Sequence, residues 1–104
     1  MAFREERDWG QFHRPKELAA GLSIEAAELQ ELFLWREGET AEDVQADPER
    51  MERIREELAD VANFLLMLAH DLNVDLEAAC HRKIDRNAER YTVSEYRGSA
   101  RKAR

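Results

Sequence analysis

The chain has 104 residues, a length that fits one domain and leaves a modest core that a partner subunit would help to complete. With 38% charged residues, 43% hydrophobic ones and only 4 Gly and 2 Pro, the composition favours helices over sheets. A net charge of −7 repels phosphodiester backbones and so argues against nucleic acid polymers. The single cysteine, Cys80, forms no internal disulfide, and no segment resembles a secretion signal or is apolar over a membrane's thickness, so a cytoplasmic protein is expected.

The N-terminal stretch carries Trp9, Phe12 and His13 in a segment too short to make its own core, so these residues either cover the end of a helix bundle or face a ligand. A first helix is expected from Pro15 to Glu37, with proline in the first turn and Gly38 as the C-terminal cap. Its apolar stripe is Leu18, Leu22, Leu29, Leu32 and Phe33, and Glu25 falls in the middle of it with Glu28 at the edge. The acidic linker over residues 39–47 has room for one loose turn. A second helix from Pro48 to Leu72 has the stripe Ile54, Leu58, Val61, Leu65, Leu68 and Leu72, flanked by Glu57, Asp60 and Phe64. Residues 61–69 are apolar almost all round, which suggests a subunit interface as well as an internal core. A third helix opens on Asp75 as N-cap and reaches Tyr91, and residues 92–104 form a basic tail expected to be mobile.

Two Glu-x-x-Glu/Asp pairs on neighbouring helices place Glu25, Glu28, Glu57 and Asp60 where their charges repel and burial is expensive. A hard divalent cation with oxygen ligands, Mg²⁺ or in its place Mn²⁺, would compensate them; the alternative is salt bridging to Arg53, Arg55 or Lys83. The three histidines lack the Glu-x-x-His spacing of di-iron bundles, and Cys80-His81 reads as a core thiol beside a surface imidazole, not a zinc site. No Walker loop or nucleophile elbow is present. On the third helix Lys83 either neutralises acids, touches phosphate or snorkels, and Asn87 either contacts a sugar or base or ends the helix. Trp35 and Phe64 offer faces that could stack on a base or fill a core.

These motifs together resemble the all-α nucleoside triphosphate pyrophosphohydrolases of the MazG-like superfamily, and within it the dCTP pyrophosphatase branch. The likeness runs through residues 8–15, 25–35 and 56–61, and on from Val74 through Lys83, Asn87 and Tyr91. It implies an all-α helical bundle over the whole chain, assembled as a dimer or tetramer. It implies that Glu25, Glu28, Glu57 and Asp60 bind Mg²⁺, that Lys83 supports catalysis, and that Trp9, His13, Trp35, Phe64, Lys83, Asn87 and Tyr91 line a nucleotide pocket. The implied activity is a house-cleaning hydrolysis of a nucleoside triphosphate, dCTP-like, to the monophosphate and pyrophosphate. Apart from the resemblance, Glu31 reads either as an extra acid or water-orienting base or as a solvent-facing residue. Phe64 in place of a common tyrosine, Thr92 in place of proline and Ala27 in place of glycine depart from the family pattern and bear on the choice of nucleotide. The competing reading is a noncatalytic helical interaction module or a nucleotide sensor.

Overall fold

The computed structural model describes residues 14–90 together with Ala2, Glu6 and Arg7, and over these residues it is helical, without a strand. Among the described residues four helices follow one another from Pro15 on: α1 (Pro15–Glu31), α2 (Ala41–Gln45), α3 (Pro48–Asp71) and α4 (Leu76–Arg90). The chain divides into two compact units, Met1–Leu72 and Asn73–Arg104, so α1 to α3 belong to the first and α4 to the second. The expectations for Trp9, His13 and Tyr91, and for the basic tail, lie outside the described residues.

Each start has a local cause. Pro15 and Pro48 sit in first turns, where a missing N–H removes no helical bond. Asp47 caps α3 by accepting a hydrogen bond from Arg50 N at 3.1 Å. The expected loose turn in the acidic linker is the capped helix α2: Thr40 Oγ1 accepts from Asp43 N at 3.2 Å, and Asp43 Oδ2 accepts from Thr40 N at 3.0 Å. Asp75 caps α4 as the sequence indicates, accepting from Ala78 N at 3.0 Å.

The first helix is shorter than its apolar pattern predicts. It stops at Glu31, six residues before Glu37, because the chain tightens there: Leu32 N and Phe33 N donate to the carbonyls of Leu29 and Gln30, each three residues back. Arg50 then takes the Leu32 carbonyl with its Nε at 2.9 Å, occupying the acceptor that a further turn would need. Trp35 (φ 63°) and Gly38 (φ 71°) both adopt left-handed backbone, so Gly38 turns the chain toward α2 instead of capping α1.

Arg50 is the one buried charged residue of the described chain, 5% exposed. Its two terminal nitrogens hold both oxygens of Glu39, at 2.5 and 2.7 Å, and its guanidinium stands 5.0 Å from the centre of the Phe33 ring. One side chain thereby ties together the end of α1, the loop before α2 and the first turn of α3. At the other end of the pairing, Gly21 of α1 admits the Phe64 ring of α3, which lies where a Cβ would be 2.5 Å from its nearest carbon. The order of contacts, Leu32 with Arg50 and Gly21 with Phe64, makes α1 and α3 antiparallel.

The core between them holds Leu18, fully buried, and Ile54. Half of the apolar stripe expected on α3 is not covered: Leu58, Leu65 and Leu72 remain 51%, 37% and 53% exposed, while Val61, Phe64 and Leu68 are half-buried. Among the described residues α3 packs mainly on α1 and more lightly on α2, and these contacts leave the stripe with seven-residue spacing exposed. Cys80, expected in a core, is exposed, since α4 is the only described helix of its unit and has no helical partner there.

The Arg50 guanidinium beside Glu39 holds that carboxyl below its usual range, against the opposing effect of burial. A carboxyl depressed by folding adds stability above its unfolded pKa, and this is lost as pH falls through the folded value. Glu39→Gln should therefore lower the thermal midpoint at neutral pH. The gap from wild type should close below about pH 4, as measured by melting curves across pH.

Candidate metal centre

The pairing of α1 with α3 brings the Glu-x-x-Glu of one helix against the Glu57 turn of the other. Residues three apart on a helix share a face, so Glu25 and Glu28 project together. Carboxylate oxygens from Glu25, Glu28 and Glu57 lie within 4.8 Å of one another. The structure thus converges three of the four acids singled out from the sequence. Asp60 is exposed one turn beyond Glu57; it stands outside this group of three, and its charge is felt at Glu25.

The expected alternative, neutralisation by arginine or lysine, is not what the first unit shows. Arg55 pairs with Glu52 at 3.2 Å, and no described residue forms an ion pair with Arg53. Glu25 Oε2 and Glu57 Oε2 are buried without a hydrogen-bond partner. Two inaccessible carboxylate oxygens lacking a donor are an unfavourable arrangement that a cation would relieve. The donor set is all oxygen, which suits a hard divalent ion and not zinc or a soft metal.

Electrostatics within the cluster follow from this crowding. A hydrogen bond shared with Glu57 is the largest influence on Glu25; together with desolvation and repulsion from Glu57 and Asp60 it outweighs the opposing bond from Glu28 and holds Glu25 above the ordinary carboxylate value. Glu28 is raised chiefly by its hydrogen bond with Glu25, then by that residue's charge and by burial. Beside the cluster runs a groove of about 380 Å³ lined by Glu28, Glu31, Leu32, Arg53, Glu56 and Glu57. Glu31, left open by the sequence between an active-site acid and a solvent-facing residue, thus stands on its wall.

The other sequence candidates fall in different places. Trp35 does not close a helix; it sits in the turn after α1 with its indole 95% exposed. Phe64 is half-buried against Gly21. Lys83 is exposed and Asn87 half-buried on α4, in the second unit. Sequence reasoning missed Arg50 and Glu39, whose pairing holds the α1 end, and gave Arg53 no role beyond a salt bridge. No pattern in the chain distinguishes these arginines from their neighbours; only the fold selects them.

With this geometry in view, the comparisons with known proteins point one way. The MazG-like family matches over residues 21–104. This chain belongs to the MazG-like family. Among curated relatives, dCTP pyrophosphatase 1 of Mus musculus is 45% identical over 99 residues, covering 94% of this chain and 58% of the relative. The Homo sapiens protein of the same name is 43% identical over 101 residues, covering 96% and 59%. The chain therefore spans less than two thirds of the length of these relatives. A solved pyrophosphatase from Archaeoglobus fulgidus superposes with a TM-score of 0.78 at 36% identity, covering 88% of this chain and 83% of that one. The all-α architecture of this MazG-like chain thus agrees with that of a solved relative. No helix of the described residues is long and apolar enough to cross a membrane.

The raised carboxyls make a testable statement about this site. Acids whose pKa is raised by folding destabilise the folded state once pH exceeds that folded value, and the penalty fades as pH falls through it. Glu25→Gln should therefore raise the melting temperature of the metal-free protein at neutral pH, with the advantage shrinking toward acid. Saturating Mg²⁺ should reverse the order, because the wild type then gains more from the ion.

Proposed function

We propose that this protein is a Mg²⁺-dependent nucleoside triphosphate pyrophosphohydrolase with a house-cleaning role, acting on a dCTP-like pyrimidine deoxynucleotide. The observation that carries this reading is the three-carboxylate cluster with two buried oxygens lacking donors. Membership of a family whose curated relatives include dCTP pyrophosphatase 1 supports the choice of substrate.

Glu25, Glu28 and Glu57 would hold the ion, with Asp60 one turn on as the fourth ligand. When bound it would neutralise phosphate charge and act as a Lewis acid. The protein's own residues supply the rest. The antiparallel helices fix the carboxylates before substrate arrives, so their convergence is not assembled during the reaction. Glu31, on the groove wall, orients water. Water adds across the α–β phosphoanhydride: its oxygen joins phosphorus, the bridging P–O bond breaks, and its proton passes to solvent or product phosphate. Trp35, with its ring freely presented, and Phe64 offer stacking faces for the base, and the family resemblance assigns nucleotide contacts to Trp9, His13, Lys83, Asn87 and Tyr91.

The uncovered stripe of Leu58, Leu65 and Leu72 supports a homo-oligomer, dimer or tetramer, since seven-residue spacing is the pattern of helices that pack along their length. Leu65→Glu should shift the protein to a smaller species in sedimentation velocity; an unchanged species would remove this stripe from the interface.

Activity is tested by measuring pyrophosphate release from a panel of ribo- and deoxynucleoside triphosphates with Mg²⁺ or Mn²⁺. At least one should turn over, and Glu28→Gln or Asp60→Asn should lower kcat by about 100-fold or more while the helical signal persists. Calorimetric heat from Mg²⁺ with a nonhydrolysable triphosphate but no product would make the protein a sensor. Neither heat nor product would make it an interaction module.

A further inference from the structure

Arg53 stands one turn before Glu57 on α3, about 6 Å along the helix axis. Glu49, Glu56 and Glu57 are all three or four residues away, at spacings where side chains meet on a helix surface. Yet no described residue forms an ion pair with its guanidinium, although Arg55 and Arg50 on the same helix are both paired. The acidic groove beside the cluster has one cation among its lining residues, and it is Arg53. The same residue also lines a second groove of about 230 Å³, together with Arg36 and Arg50. In that groove Arg50 is committed to Glu39, and Arg36 lies 3.8 Å from the same carboxylate. Among the described residues Arg53 is therefore the uncommitted cation shared by the two grooves, at the rim of the carboxylate centre.

A guanidinium that pairs with none of the four acids of its groove is poorly explained as an internal counter-charge. It is well placed for an anion that reaches the centre from outside. Guanidinium matches phosphate oxygens with two parallel hydrogen bonds, and it keeps its charge at any working pH. Resting on the reading that the chain cleaves a triphosphate at the α–β bond, we infer that Arg53 binds the β- and γ-phosphates and retains them as the pyrophosphate leaving group. It acts by direct contact with substrate, and accumulating charge on the departing pyrophosphate strengthens that contact as the bond breaks.

The test compares wild type with Arg53→Ala and Arg53→Lys. Binding of inorganic pyrophosphate in the presence of Mg²⁺ is followed by calorimetry, alongside Mg²⁺ binding alone, thermal melting and steady-state kinetics. Arg53→Ala should weaken pyrophosphate binding by about 10- to 100-fold, the range expected for lost hydrogen bonds to a charged group, with a parallel loss in kcat/KM. Melting and helicity should match wild type, because the position is exposed and alanine favours helix. Arg53→Lys should recover part of the affinity. If Arg53→Ala instead tightens Mg²⁺ and leaves pyrophosphate affinity and kcat/KM unchanged, Arg53 only tempers the acidic field, and the inference is overturned. A wild type that releases pyrophosphate from no triphosphate sinks the proposed activity itself, whereas an active wild type matched by Arg53→Ala sinks only the role of this residue.

Discussion

The structure depends on how one guanidinium joins three parts of the chain. Arg50 takes the Leu32 carbonyl just past α1, both oxygens of Glu39 and the face of Phe33, all from the first turn of α3. Because its fork is planar and rigid, these contacts set direction as well as proximity. They end the first helix, fold the acidic linker back and fix the height at which α3 begins. Everything further along the antiparallel pair inherits that register, including the position of Glu57 opposite Glu25 and Glu28.

That register creates an electrostatic conflict that the described residues of the first unit do not resolve. Arginines are abundant on α3, yet one is committed to Glu39, another to Glu52, and the third faces a groove. The carboxylates crowd one another, and that crowding with desolvation holds Glu25 and Glu28 above the ordinary range. Such crowded acids are the arrangement expected of a centre completed by a ligand from solution.

Much of this was legible in the sequence because helical periodicity and caps are local. Pro48, Asp75 and the apolar spacing located α3 and α4 closely, and Glu25 was conspicuous as an acid within a greasy stripe. The end of α1 was not legible: Leu32, Phe33 and Leu34 continue the apolar pattern, and only Arg50, 18 residues away, halts the helix. Burial on α3 was legible only in part. Periodicity marks which side is apolar, but not which part of a stripe running from Leu58 to Leu72 the chain itself covers. For the site, the three converging acids were readable from spacing, while the free state of Arg53 depends on where its neighbours' partners lie, which spacing does not encode.

The Gly21 and Phe64 contact gives the carboxylate centre a mechanical setting. Gly21 precedes Glu25 by one turn, and with no side chain there the α3 ring rests directly on the α1 backbone. The thickness of one aromatic ring thus acts as a spacer that gauges the separation of the helices beside the acids. A larger residue at 21 would wedge them apart like a shim under a hinge. The gap between the two helices beside the acids is accordingly set by an apolar contact one turn away from Glu25.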